Sequence, residues 1–231
     1  MQYFGNPSTQ KVRDAMQAGL INVIDTPTQG NLPVPGVPWC ADNGCFSDKY
    51  VGDERWFAWL TKNAYRADSC VFAVAPDVVG DAAATMARSL PWLPRIRSLG
   101  YPAAFVAQDG LEDLTVPWDE FDVLFIGGTT DWKLGRHARH LVSEAKAHGK
   151  WVHMGRVNSQ RRYLYAQRIG CDSADGTTLA MFPDATLPDV VSWVSSAPVL
   201  PWPSSGSAVA ASGVESICLL CGLSDQNRTN Q

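Results

Sequence analysis

The chain has 231 residues and a mass of 25.1 kDa, with 45% apolar residues, 18% charged residues and a net charge of −4. That apolar content supplies a core for one domain and excludes a wholly disordered chain. No run approaches the roughly 18 apolar residues of a membrane span, so no membrane partner is expected. The six cysteines, Cys40, Cys45, Cys70, Cys171, Cys218 and Cys221, are too sparse for a disulfide framework. The opening MQYFGNPSTQKVRDA has no apolar leader segment. Both features point to the cytoplasm.

Taken in order, the pattern starts with a helix capped by Ser8 or Thr9, running through Ala18 and ended by Gly19. LINVID (20–25) and WCAD (39–42) read as strands, followed by a helix over 53–65 on which Trp56, Phe57, Trp59 and Leu60 share a face. SCVFAVAPD (69–77) is a strand, 80–99 a helix, and PAAFVAQDG (102–110) and VLFIGGT (123–129) are strands. A helix over 133–148, the strand WVHMG (151–155), a helix over 159–168 and a weaker strand ending in GCDSAD (170–175) complete the series. Repetition of strand, loop and helix with short connections predicts a parallel α/β fold. On that ground a doubly wound sheet and a barrel both remain open. No GxGxxG or GxxxxGK[ST] loop is present. We expect a compact (β/α)8 TIM-like barrel over residues 1–195. From there the composition turns to Ser, Pro, Ala and Gly, which predicts an irregular, flexible tail over 196–231. Tryptophan-rich surfaces would suit a homodimer, although nine tryptophans also fill a core.

Charge is unevenly spread. Between Lys133 and Arg168 stand nine Lys/Arg against one acid, Glu144, together with His137, His140, His148 and His153. This is either a pair of solvated basic helices or a patch for a polyanion such as nucleic acid.

Each apolar run ends in a small cluster of functional residue types: Asp42-Asn43-Gly44, Asp77, Gln108-Asp109-Gly110, Gly127-Gly128, Met154-Gly155, and Asp172 with Asp175. In a barrel these ends converge on one mouth. Taken singly, an aspartate after a strand is more often a helix cap. As a set they suit a flat, purine-like base: a carboxylate accepts from its N–H donors, a glutamine amide donates to its carbonyl, and glycines permit close backbone approach. Phe46 and Met154 offer apolar faces for stacking. Two further carboxylates suit displacement at a sugar anomeric carbon, one attacking and one handling the proton of the base.

These residues, in this order over 38–180, resemble the tRNA-guanine transglycosylase family, most of all its short members that insert 7-deazaguanines into DNA. The resemblance implies Asp42 as acid/base, Phe46 stacking on the base, and Asp77 reading its N–H edge. Gln108 and the backbone of Gly127 and Gly128 would contact its carbonyl, with Met154 and Gly155 forming the pocket floor and Thr129 beside the 7-substituent. Asp175 would be the nucleophile, with Asp172 the fallback or a ribose contact. It further implies exchange of guanine in DNA for a 7-deazaguanine such as preQ0 through a covalent aspartyl–sugar intermediate, without a cofactor. The alternatives are exchange in tRNA or a non-catalytic nucleic-acid-binding paralogue. Cys218 and Cys221 form CLLC without the further ligands of a closed zinc site, and no metal is expected. Lys133, Arg136, Arg139, Arg156, Arg161, Arg162 and Arg168 would form a strip for the nucleic acid backbone.

Overall fold

The computed structural model describes residues 1–196. Eight strands, all parallel, pair in chain order and close into a barrel: β1 (Gln2–Gly5), β2 (Asn22–Asp25), β3 (Trp39–Ala41), β4 (Cys70–Val74), β5 (Ala103–Ala107), β6 (Val123–Ile126), β7 (Trp151–Met154) and β8 (Ser173–Asp175), with β8 returning to β1. The expected (β/α)8 barrel is therefore present. The expected tail, with Cys218 and Cys221, lies outside the described residues. Among the described residues no helix is long and apolar enough to cross a membrane.

The outer layer departs from eight regular helices. α1 (Gln10–Gln17) follows β1, capped by Thr9, whose side chain accepts from the Val12 amide. α2 (Asp53–Lys62) follows β3. The single helix expected over 80–99 is two, α3 (Ala82–Ser89) and α4 (Leu93–Ser98), parted around Pro91. The helix expected over 133–148 is likewise a short turn, α5 (Thr130–Lys133), and then α6 (Arg136–Ala147), with the chain turning at Gly135. α7 (Gln160–Ile169) is capped by Ser159 and ended by Gly170 in the left-handed conformation. α8 (Thr178–Met181) and α9 (Pro183–Ser195) close the layer. No helix joins β2 to β3, where four prolines stand between Pro27 and Pro38, and only 3₁₀ turns join β5 to β6.

Side-chain alternation along the strands sorts the core into two shells. One phase points outward and packs under the helices: Tyr3, Trp39, Ala73, Phe105, Leu124, Val152, Met154 and Ala174 all belong to that outer core. The other phase points into the barrel. There Phe4, Phe72, Phe125 and the His153 imidazole meet ring to ring, with centroids 4.6 Å (Phe125–His153) to 6.4 Å (Phe72–Phe125) apart. The barrel centre is thus a packed plug that leaves space only towards the strands' carboxyl ends. None of the eight described tryptophans is exposed, so the tryptophan-rich surface suggested as a dimer contact is absent from residues 1–196.

β8 passes into α8 through Gly176, where the backbone is crowded. A Cβ there would stand 2.3 Å from the Tyr3 hydroxyl and 2.6 Å from the Val157 carbonyl oxygen. Gly176→Ala is expected to destabilise the fold by about 1–3 kcal/mol through overpacking, measured as a lowered urea midpoint at unchanged slope. An unchanged midpoint would contradict this packing.

Candidate active site at the barrel mouth

A cavity of about 410 Å³ opens at the carboxyl ends of the strands. Its deep wall is the last inward-facing apolar layer, Val74, Val106 and Phe125. Continuing the same phase to the end of β8 and past the ends of the other strands gives its polar residues: Asp175, and Thr26, Asp42, Gln108, Gly127 and Gly155. Asp77, Asn43, Phe46 and Arg156 join them from the loops. Of the residues singled out from sequence, Asp42, Phe46, Asp77, Gln108, Gly127, Gly155, Arg156 and Asp175 are brought together here.

Three carboxylates share this space. Burial, then the charges of Asp175 and Asp77, push the Asp42 carboxyl up to about 7, opposed by the amides of Asn43 and Gly44. Asp77 is also raised by burial, against hydrogen bonds that favour its charged form. Its Oδ1 accepts from Asn43 Nδ2 at 2.8 Å and its Oδ2 from Gln108 Nε2 at 2.6 Å. Asn43 in turn is anchored to the Ala75 carbonyl at 2.7 Å. Asp175 accepts from the Arg156 amide at 3.1 Å through Oδ1 and pairs through Oδ2 with His153 Nε2 at 2.9 Å.

Gln108 is held on every side. Its Oε1 accepts from the amides of Gly80 at 2.9 Å and Gly128 at 2.8 Å. One Nε2 hydrogen serves Asp77 and the second is left for a ligand. The cavity therefore presents a carboxylate acceptor and an amide donor side by side. Near the lip, Phe46 is 62% exposed and the Arg156 guanidinium lies over its ring at 4.5 Å. Arg156 adopts φ +59°, in the left-handed region, and its side chain donates to the Gly128 carbonyl.

Several expected roles are corrected. The Gly127 amide is spent on Ala107 O at 3.0 Å and the Gly128 amide on Gln108, so neither donates to a ligand carbonyl. Thr129 caps α5 and gives its hydroxyl to Asp109 at 2.6 Å, away from the cavity. Met154 has the outward phase and is buried under the helices. Asp172 precedes β8, at the opposite end of the barrel, where it accepts from the Val152 amide and pairs with Lys146 at 2.7 Å. It is neither a nucleophile nor a sugar contact. Lys133 is 1% exposed and donates to Gly155 O at 2.7 Å, so it supports the cavity wall from behind. Burial, then Arg156, lowers its ammonium to about 8. Arg168 stands in the last turn of α7, at the far end from the mouth. Arg136 and Arg139 in α6 and Arg161 in α7 are exposed near the amino ends of their helices, on the mouth side. Arg162 is half-buried beside them.

Two site residues escaped the sequence reading. Asn43 stood inside a quoted cluster without a role. His153 was counted only as part of a basic stretch, yet it has the inward phase two residues before Gly155, and that phase was a readable signal.

Among the described residues no cluster of His, Cys, Asp and Glu could hold a metal ion. No family model matches the chain and no curated protein matches it. Among solved structures it is similar to the GH113 beta-mannanase AaManA from Alicyclobacillus acidocaldarius in complex with ManMIm. The identity is 14% and the TM-score 0.44, over 84% of this chain and 96% of that one, a likeness that carries no argument about activity. The resemblance to the tRNA-guanine transglycosylases is corrected: no model of that family matches the chain.

Because Asp42 holds its proton up to about 7, its ionised form weakens the fold. That part of the stability is full below the ordinary aspartate range and lost as pH rises through about 7. Asp42→Asn is expected to stabilise the protein at pH 8 by on the order of 2 kcal/mol and to do little at pH 4. Urea melts at the two pH values check this, and equal effects at both would contradict the assignment.

Proposed function

We propose that the barrel mouth catalyses displacement at the anomeric carbon of an N-glycosidic bond to a flat, guanine-like base. The observation that carries this reading is the pairing of Asp42, a carboxyl that holds its proton to about 7, with Asp175, a carboxylate fixed by two hydrogen bonds in the same cavity. Asp175 attacks C1′, the C1′–N bond breaks, and Asp42 gives its proton to the departing base. The product is a covalent aspartyl–sugar ester. An incoming base then returns a proton to Asp42, and its nitrogen displaces Asp175. Two inversions give net retention.

The adjacent acceptor and donor of Asp77 and Gln108 match the N–H and C=O edge of guanine. Phe46 under Arg156 supplies a face for the ring. A 7-deazaguanine such as preQ0 carries the same edge, so our reading of the exchange is guanine leaving DNA and a 7-deazaguanine entering. A base inside a duplex must leave the stack to reach such a cavity. Arg136, Arg139, Arg161 and Arg162 flank the mouth as contacts for the phosphates.

Purified chain incubated with radiolabelled guanine and either DNA or tRNA tests the reading. Incorporation into DNA supports it, abasic sites would make the protein a hydrolase of the same bond, and no reaction with either polymer would sink it. Asp175→Asn removes the attacking charge and should lower incorporation at least about 10³-fold at unchanged melting midpoint. Activity within tenfold of the original would remove Asp175 from its role. DNA affinity should fall with salt at a log–log slope near −3 or steeper, and Arg136→Ala with Arg139→Ala should flatten that slope by about 1–2. A salt-independent affinity would discard the arginine strip.

A further inference from the structure

Below the cavity floor lies a hydrogen-bonded chain that the proposed reaction has not used. Trp151, His153 and Ser173 all have the inward phase, on β7 and β8. Trp151 Nε1 donates to Ser173 Oγ at 2.9 Å, Ser173 Oγ meets His153 Nδ1 at 2.8 Å, and His153 Nε2 meets Asp175 Oδ2 at 2.9 Å. An indole nitrogen can only donate. Ser173 Oγ therefore accepts from Trp151. A carboxylate can only accept, so the imidazole carries a proton on Nε2, and in the neutral ring Nδ1 accepts the hydrogen of Ser173 Oγ. The ring is 0% exposed and enclosed by Phe4, Phe72 and Phe125. Both nitrogens are occupied and no face is open to the cavity, so the imidazole cannot touch a substrate. Asp175 is the one acid in contact with it, and the other groups packed against it are the three phenyl rings and the serine.

We propose that His153 is a positioning residue that fixes the orientation of the Asp175 carboxylate for attack. This inference rests on the reading of Asp175 as the nucleophile. Oδ2 is tied to the imidazole at 2.9 Å and Oδ1 to the Arg156 amide at 3.1 Å, so the carboxylate is fixed from both sides, with a lone pair left for the sugar carbon. When Oδ1 bonds to C1′, Oδ2 becomes the ester carbonyl oxygen and keeps the Nε2–H bond. No proton crosses to histidine in either direction. Ser173 and Trp151 hold the tautomer that this requires, as a carboxylate or hydroxyl behind a histidine does elsewhere in enzyme chemistry. A Cβ at Gly155 would stand 2.6 Å from the Phe125 ring, so glycine there keeps the plug packed against the imidazole and Asp175.

The first test needs no activity. In ¹⁵N-labelled protein at pH 7, His153 is expected as the neutral Nε2–H tautomer. An Nδ1–H tautomer or an imidazolium at pH 7 would overturn the proposal. The second test uses incorporation of radiolabelled guanine into DNA. His153→Phe keeps the ring and removes the donor. It should lower kcat by about 10- to 100-fold with the KM for guanine within twofold, and His153→Gln, which restores an N–H near the Nε2 position, should recover at least part of the loss. Unchanged kcat in the Phe variant, or a loss confined to KM, would overturn it. If guanine exchange is absent altogether, the proposed reaction fails while the tautomer measurement still decides whether His153 holds Asp175 as described.

Discussion

Three carboxylates face one cavity, and the cost of burying them there is the constraint that the surrounding groups answer. Each is treated differently. Asp77 is held by two amide side chains, Asn43 and Gln108. Asp175 receives a backbone amide and an imidazole. Asp42 is left with the cost, and keeps its proton up to about 7. On the proposed reading, groups of one chemical type are thereby divided into a reader, a nucleophile and an acid, in the way that paired acids with separated environments divide catalytic work elsewhere.

The closed barrel supplies the geometry. Parallel strands of three to five residues place their inward phase on a plug of Phe4, Phe72, Phe125 and His153, and the next inward positions form the mouth. Backbone groups near the site are consumed in holding it. Gly127 and Gly128 complete the ladder and orient Gln108, while Gly155 receives the buried Lys133. On the proposed reading, a ligand presents an N–H edge to Asp77 and one acceptor to Gln108.

Much of this was legible in the amino-acid order. The strands from LINVID to GCDSAD were readable from their β-branched and aromatic runs, and the clusters at their ends indicated the mouth. β1 was not, because QYFG is four residues long with no turn signal before it. α8 and α9 were hidden by prolines at 183 and 188 that argue against a helix, although Pro183 stands at a helix start, where its missing amide costs nothing. Within the site the errors share one cause. Met154, Thr129 and Asp172 were chosen by motif likeness, while strand phase and strand end would have rejected them: Met154 points outward, Thr129 lies two residues past the last inward position of its strand, and Asp172 sits before its strand. The same phase would have raised His153 from a basic stretch into the barrel centre. Lys133 failed for another reason, since a lysine in a charged segment gives no sign in sequence that its ammonium is buried on a carbonyl.

The account stands on a bond forming between Asp175 and a sugar carbon. Its most direct test is mass spectrometry of the protein after quenching with a DNA oligonucleotide whose target guanosine carries a 2′-fluorine, which slows breakdown of a sugar ester. The expected result is a mass increase equal to the oligonucleotide less guanine, mapping to the peptide that contains Asp175 and absent from Asp175→Asn. An adduct on any other residue, or none while guanine is still released, would contradict the covalent mechanism.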